Sequence, residues 1–223
     1  MIASLIDHTL LKADCSTDEI QTLCREAQQY GFAAVCVPPY FVREVRQKLG
    51  EYTPIKLATV IGFPMGYVCI SAKIEEIKRA VMEEVDEMDI VINIAAIKSG
   101  HWNQVKNDID ATVRAVHLHG KIVKLIIETS LLTEDEIKRV CDIAVPLETN
   151  FIKTSTGYNG GSVSPDVIRF LRAYLPKQIK IKASGGIRTL QAAQALAEAG
   201  AVRLGCSASV QIAEEEKKHH STH

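Results

Sequence analysis

Two lysines set 29 positions apart interrupt runs that otherwise read as buried strands. One lies in Phe151-Ile-Lys-Thr-Ser-Thr-Gly157, the other in Ile181-Lys-Ala-Ser-Gly-Gly-Ile-Arg188. Small, hydroxyl and glycine residues follow each at once. A lysine at the end of a buried strand is costly unless it is paired, neutral or used. Two of them one supersecondary unit apart suggest amines facing one pocket, an arrangement that makes a nucleophilic amine near neutral pH. Two ammonium groups ~5 Å apart at an effective dielectric of ~20 repel by roughly 3 kcal/mol. That repulsion lowers one pKa by about two units from ~10.4, and desolvation pushes the same way. An amine titrating near ~8 can attack a carbonyl and form a Schiff base.

Strand parity sorts inward from outward side chains. Ile179 and Ile181 share one face of their run, Lys180 and Lys182 the other. Lys182 then points inward near the top, and Lys180 sits lower. Lys153 lies opposite Ile152, and Asp89 opposite Met88 and Ile90. Asp89, Lys153 and Lys182 thus fall on inward faces of the fourth, sixth and seventh strands. Any one of them alone reads as a structural ion pair or a strand-end charge. Together, each beside glycine or hydroxyl residues, they read as a site. Lys124 and Glu128 on the fifth strand are expected to form a supporting inward pair, and Lys56 and Lys98 to be solvated.

A second grouping suits an anion. Ser184-Gly-Gly-Ile187 follows the seventh strand, and Gly205-Cys-Ser-Ala-Ser209 the eighth. Backbone N–H groups of such loops bind phosphate, and glycine lets the backbone come close. Cys36 and Cys206 are expected to be small core residues, since no histidine is partnered to either. His8, beside Asp7, is as readily a satisfied structural histidine as a group at the pocket floor. No HExxH, EF-hand loop or CxxC occurs, so no metal and no cofactor are expected.

The elements that position these residues come from the rest of the chain. Short apolar runs begin near Ile6, Ala33, Lys56, Met88, Val123, Phe151, Ile179 and Val202, at intervals of 23 to 35 residues. Amphipathic stretches lie between them. Thr17 to Tyr30 opens on Ser16 and Thr17 as cap candidates and stops at Gly31. Ser71 to Glu84 carries apolar residues at helical spacing. Thr133 with Glu136 makes a capping-box pattern, and Ser164-Pro165 opens another helix. Thr189 to Ala199 is alanine-rich and stops at Gly200. Eight strand–helix units fit a single-domain α/β fold of the (β/α)8 TIM-barrel class, residues 1–213. An open doubly wound sheet would give the same alternation, but no GxGxxG follows the first strand. Residues 214–223 form a charged tail expected to fray. Its histidines could hold a metal ion, but a solvated tail is the better reading.

Bulk properties exclude several classes. The 223 residues are 47% hydrophobic, enough for a substantial core, with 26 basic and 27 acidic residues. That balance argues against nucleic acid or an anionic membrane as partner. No apolar run reaches the ~18 residues of a membrane-spanning helix, and Met1-Ile-Ala-Ser-Leu-Ile-Asp-His has no basic region of a secretory signal. The six scattered cysteines then read as reduced thiols of a cytoplasmic protein.

These motifs together carry a resemblance. The chain resembles the deoxyribose-phosphate aldolases, class I aldolases with a (β/α)8 barrel. The likeness runs from Ile6-Asp-His-Thr-Leu-Leu-Lys12 through Ala34-Val-Cys-Val-Pro38, Val60-Ile-Gly-Phe-Pro64 and Glu87-Met-Asp-Ile-Val-Ile-Asn93. It continues through the two lysine motifs to Arg203-Leu-Gly-Cys-Ser207. It implies reversible cleavage of 2-deoxy-D-ribose 5-phosphate to acetaldehyde and D-glyceraldehyde 3-phosphate, in deoxyribonucleoside catabolism. Lys153 matches the Schiff-base lysine, Lys182 the second lysine that tunes it, and Asp89 the proton-relay aspartate, acting through a water. Thr156 and Gly157 match positions near the substrate's phosphate and hydroxyls. Gly185, Gly186, Gly205 and Ser207 match phosphate-binding loops, and Asp7 and Cys36 inner positions of the pocket. The family's dimers and tetramers imply a homo-oligomer. Two departures stand out: the tail lacks the terminal tyrosine of some members, and Tyr158 replaces a lysine. From the residues alone, a barrel isomerase using Asp89 as base, or a sugar-phosphate sensor without turnover, remains open beside the aldolase.

Overall fold

Eight short strands pair side by side in parallel, and the last closes on the first. They are β1 (Ile6–Thr9), β2 (Ala34–Val37), β3 (Lys56–Ile61), β4 (Glu87–Val91), β5 (Ile122–Ile126), β6 (Phe151–Lys153), β7 (Lys180–Ser184) and β8 (Arg203–Cys206). The computed structural model describes residues 1–50 and 52–221. Around the strands lie α1 (Thr17–Tyr30), α2 (Val42–Leu49), α3 (Ile70–Met82), α4 (Ile94–Lys98), α5 (Trp102–His117), α6 (Glu134–Ala144), α7 (Pro165–Tyr174), α8 (Leu190–Glu198) and α9 (Ser209–Ser221). The architecture is the expected (β/α)8 barrel.

Local sequence explains where the helices begin and end. Ser16 and Glu19 satisfy each other's backbone N–H groups at the start of α1, and Gly31 ends it in the left-handed conformation at φ 67°. Thr133 and Glu136 do the same for α6. Ser164 caps α7 ahead of Pro165, and Thr189 caps α8. Each helix lays an apolar stripe on the outer face of the sheet, as with Ile20, Leu23, Cys24 and Ala27 of α1. On the strands, Ile90, Leu125, Ile152 and Ile181 are buried against that layer. Their neighbours in sequence therefore point into the barrel.

The barrel interior is chemically divided. On the side of β2 and β3 it holds Cys36, Ala58 and Val60, roofed by Leu11 and Phe63. On the other side it holds charge. A separate buried ion pair braces the end of β4: Lys73 of α3 contacts both oxygens of Asp108 of α5, at 2.8 and 2.7 Å, and donates to the Val91 carbonyl at 2.8 Å. Gly62 makes room for this lysine, since a Cβ there would stand 2.9 Å from its Cε.

The charged tail differs from its expectation. Instead of fraying at residue 214, the chain continues as α9 through Ser221, which serves as the outer helix after β8. Three successive glutamates anchor it. Glu214 accepts from the Tyr30 hydroxyl at 2.5 Å, and Glu215 accepts the Leu190 N–H that opens α8 at 2.7 Å. Glu216, buried, accepts the N–H groups of Ile2 and Ala3 at 2.6 and 3.1 Å. Glu215 and Glu216 accept backbone N–H groups of other segments and Glu214 a side-chain hydroxyl, so composition alone misread them as solvated charge. Residues 222–223 of the tail lie outside the described residues. Glu216→Ala is expected to lower the unfolding free energy by roughly 1.5–3 kcal/mol, as for hydrogen bonds to a charged group. The measurement is a urea midpoint, and a freely fraying tail would leave it unchanged.

Candidate active site

Asp89 of β4 accepts from three lysines inside the barrel. Its Oδ1 takes Lys124 Nζ of β5 at 2.8 Å. Its Oδ2 takes both Lys153 Nζ of β6 at 2.8 Å and Lys182 Nζ of β7 at 2.7 Å. Parallel pairing sets this up, because Lys153 and Lys182 are Cα partners across β6 and β7. Asp7 of β1 contacts Lys182 from below and Arg203 of β8 at 2.6 Å. Gly205 leaves the space through which Lys182 reaches them: a Cβ there would stand 3.2 Å from Lys182 Cε.

Burial and charge separate the two lysines. Burial pushes the Lys153 pKa down; Asp89 opposes this in part, while Lys182 adds to it. Lys182 is as deeply buried, but Asp7 and Asp89 together outweigh desolvation and raise its pKa. Lys153 is thus the amine whose proton is held less firmly, and Lys182 the one whose proton is held more firmly. Burial also opposes ionisation of Asp89, yet Lys124, Lys153 and Lys182 outweigh it and hold the carboxylate well below its usual range. For Asp7, burial is likewise outweighed by Lys182, Lys124 and Arg203, and the pKa falls to about 2. Its contribution to stability is complete above the ordinary value of 3.8 and lost as pH falls through about 2. Repulsion between the lysines had been expected to lead; in the structure desolvation leads.

A cavity of about 600 Å³ opens at the carboxyl ends of the strands, where barrel active sites lie. Lys153 lines it, so the amine with the lowered pKa is also the one the cavity reaches. Lys182 and Asp89 are fully buried and do not line it. The remaining wall comes from loops after β6, β7 and β8: Thr156 and Gly157, Gly185 and Gly186, Gly205 and Ser207. All six of these expected binding residues therefore surround one space. Gly186 has φ 69°, and a Cβ there would fall 2.1 Å from Ser162 Oγ, so no other residue lets these two loops approach. Lys12 and Arg188 add positive charge to the same wall. Tyr158 crosses the rim, donating to the Leu11 carbonyl at 2.7 Å with its ring edge-on to Phe63.

Some expectations need correction. Asp7 and Cys36 do not line the cavity. Asp7 is an ion-pair partner beneath it, and Cys36 is a core thiol whose pKa burial raises to about 11. His8 faces outward between Ser209 and Glu26, at 2.9 and 2.8 Å. Asp89 touches both lysines directly. Glu128 does not pair with Lys124. It lies just past β5 with φ 50°, a left-handed conformation uncommon for a residue with a side chain. Its Oε2 accepts from Thr156 N at 3.1 Å, Thr156 Oγ1 at 2.5 Å and Asn159 Nδ2 at 3.0 Å. Glu128 therefore shapes the β6 loop. Lys124 instead pairs with Glu87 at 2.7 Å as well as with Asp89. Glu87 and Arg203 were overlooked as interior charges, although each shares the parity of an inward residue two positions on, Asp89 and Gly205.

A closed parallel barrel with a buried lysine at its carboxyl-end cavity, backed by an aspartate and a second lysine, has the layout of a barrel enzyme. The DeoC/LacD family aldolase model matches residues 1–210, and the chain belongs to that family. A deoxyribose-phosphate aldolase of Caldanaerobacter subterraneus is 43% identical over 97% of this chain and 94% of its own length. One from Halalkalibacterium halodurans is 44% identical over 99% of this chain and 98% of its own. Among solved structures, a tetrameric deoxyribose phosphate aldolase from Aeropyrum pernix superposes with a TM-score of 0.88 at 29% identity, covering 98% of this chain and 92% of its own.

Glu128→Ala strips the acceptor from three donors of the β6 loop. It is expected to reduce aldolase kcat/KM by about tenfold, the equivalent of one buried donor left unsatisfied, mainly through KM. Glu128→Gln keeps an acceptor in place and is expected to retain most activity. Steady-state kinetics of the two variants check the assignment, and equal loss in both would point to the charge instead of the acceptor.

Proposed function

We propose that this protein is a class I aldolase that reversibly cleaves 2-deoxy-D-ribose 5-phosphate to acetaldehyde and D-glyceraldehyde 3-phosphate, with Lys153 as the imine-forming residue. The observation that carries the reading is a lysine with a lowered pKa that lines the cavity 2.8 Å from an ionised aspartate. Neutral Lys153 adds to the C1 aldehyde of the open-chain sugar, and the carbinolamine loses water to give an iminium. The iminium then accepts the C2–C3 bonding pair as the C3 hydroxyl gives up its proton. Glyceraldehyde 3-phosphate leaves, and an enamine remains. Protonation of that enamine at C2 and hydrolysis release acetaldehyde and restore the amine.

Asp89 and Lys182 serve as the proton relay. Asp89 lies within hydrogen-bond reach of the nucleophilic nitrogen, and Lys182 donates a hydrogen bond to the same carboxylate oxygen. The phosphate is bound by backbone N–H groups around Gly185, Gly186, Gly205 and Ser207, with Arg188 and Lys12 adding charge. Thr156 and Gly157 contact the sugar. Tyr158 stands where some family members have lysine, so the cationic part of this task falls to the other loops.

The reading extends to a homo-oligomer, dimer or tetramer, and the tetramer of the Aeropyrum pernix relative supports it. The reading includes a cytoplasmic role in deoxyribonucleoside breakdown, and membership of the family supports it. Among the described residues no helix is long and apolar enough to cross a membrane.

Incubation with acetaldehyde and borohydride, then peptide mass spectrometry, tests the mechanism. A reduced ethyl adduct on Lys153 is expected. An adduct on Lys182 would exchange the roles of the two lysines, and none on the folded protein would reject the imine. Lys153→Leu is expected to bring turnover to background with the circular dichroism spectrum unchanged.

A further inference from the structure

Beneath the cavity lies a layer of charge that the steps above do not use. Glu87 of β4 pairs with Arg203 Nη2 of β8 at 2.9 Å and with Lys124 Nζ at 2.7 Å. Arg203 also holds Asp7 with its Nε at 2.6 Å. Two continuous routes of contact then lead from Arg203 to Lys153. One passes through Glu87, Lys124 and Asp89, the other through Asp7, Lys182 and Asp89. Arg203 is the most exposed member of the layer, at 13% of its side chain, so solvent screens these charges little.

The layer does not balance when fully ionised. Three carboxylates, Asp7, Glu87 and Asp89, face four cations, Lys124, Lys153, Lys182 and Arg203. One buried positive charge is left over, and release of one proton removes it. Arg203 cannot release one. Lys124 and Lys182 each contact more than one carboxylate, whereas Lys153 contacts only Asp89, on an oxygen it shares with Lys182. Around Lys153 the remaining strands add little: Cys36 on β2 is a neutral thiol, and β3 presents Ala58 and Val60. Glu128 beyond β5 is engaged with Thr156 and Asn159 and touches none of the seven charges.

We infer that Glu87 and Arg203 are positioning residues that set the protonation of Lys153 from a distance, through the net charge of the buried layer. This rests on Lys153 being the imine-forming amine. Glu87 lies two residues before Asp89, roughly 7 Å along the strand. Asp89 stands between Glu87 and Lys153, so their charges are on the order of 10 Å apart, and at an effective dielectric of ~20 one such charge is expected to move the Lys153 titration by about one pH unit.

The test is the rate of imine formation with acetaldehyde, quenched with borohydride, as a function of pH. Acetaldehyde carries no titrating group, so the acid limb reports the enzyme. In Glu87→Gln the layer gains net positive charge, and the limb is expected to move to lower pH. In Arg203→Met it loses a positive charge, and the limb is expected to move to higher pH. The double variant restores the balance and is expected to return the limb close to its original place. Structural damage alone would lower the plateau or move both single variants the same way, and either result overturns the inference. Should Arg203→Met fail to fold, Glu87→Gln decides alone: an unmoved or raised limb refutes the proposal. A wild-type protein that forms no imine on Lys153 at any pH would instead refute the mechanism on which it rests.

Discussion

One carboxylate organises this molecule. Asp89 accepts from three lysines delivered by three different strands, and it is the one carboxylate that all three share. A buried charge is tolerated when it is paired and hydrogen-bonded, and is otherwise neutralised. The barrel uses both outcomes at once. Pairing raises the pKa of Lys124 and Lys182, while burial lowers that of Lys153, which shares its one acceptor. The difference comes from an unequal division of counter-charge. The three lysines are chemically identical, and only their strand positions distinguish them.

The scaffold around Asp89 can be understood as whatever keeps those strands in register. The outer aliphatic faces of β4 to β7 hold the sheet against its helices. Lys73 and Asp108 tie two helices to the end of β4, just past Asp89. Glycine at position 205 admits the Lys182 stem, and Glu128 sets the loop that begins the cavity wall. Most of these devices lie outside the cavity.

Much of this was legible in the sequence, and the reason is geometric. Strand alternation has a period of two, so an isolated charge among isoleucines declares its face at once. Asp89, Lys153 and Lys182 were read correctly on that basis. The glycine-containing loops were also legible, because a phosphate or a close loop crossing demands residues without a Cβ. What parity cannot supply is the partner across the barrel. Lys124 and Glu128 share a face of one run, yet the chain turns left-handed at Glu128 and sends its carboxylate to the next loop. Asp7 and Cys36 face inward as expected, but height along the strand puts them under the cavity rather than in it. The tail failed for a different reason: Glu214, Glu215 and Glu216 look like solvated charge until the Tyr30 hydroxyl and the backbone N–H groups they accept from are known.

The contact between Glu216 and the N–H groups of Ile2 and Ala3 has a consequence for how the chain comes together. It spans 213 and 214 sequence positions, and β1 meets β8 in the same neighbourhood. Contacts this distant in sequence are slow to form because the intervening loop must first be closed. On a ribosome the first strand therefore waits for its second neighbour and its lid until the last helix has been made. The seam between the two ends is the step at which an open, edge-exposed sheet becomes a closed one. Until then β1 and β8 are free edges, able to pair with another chain.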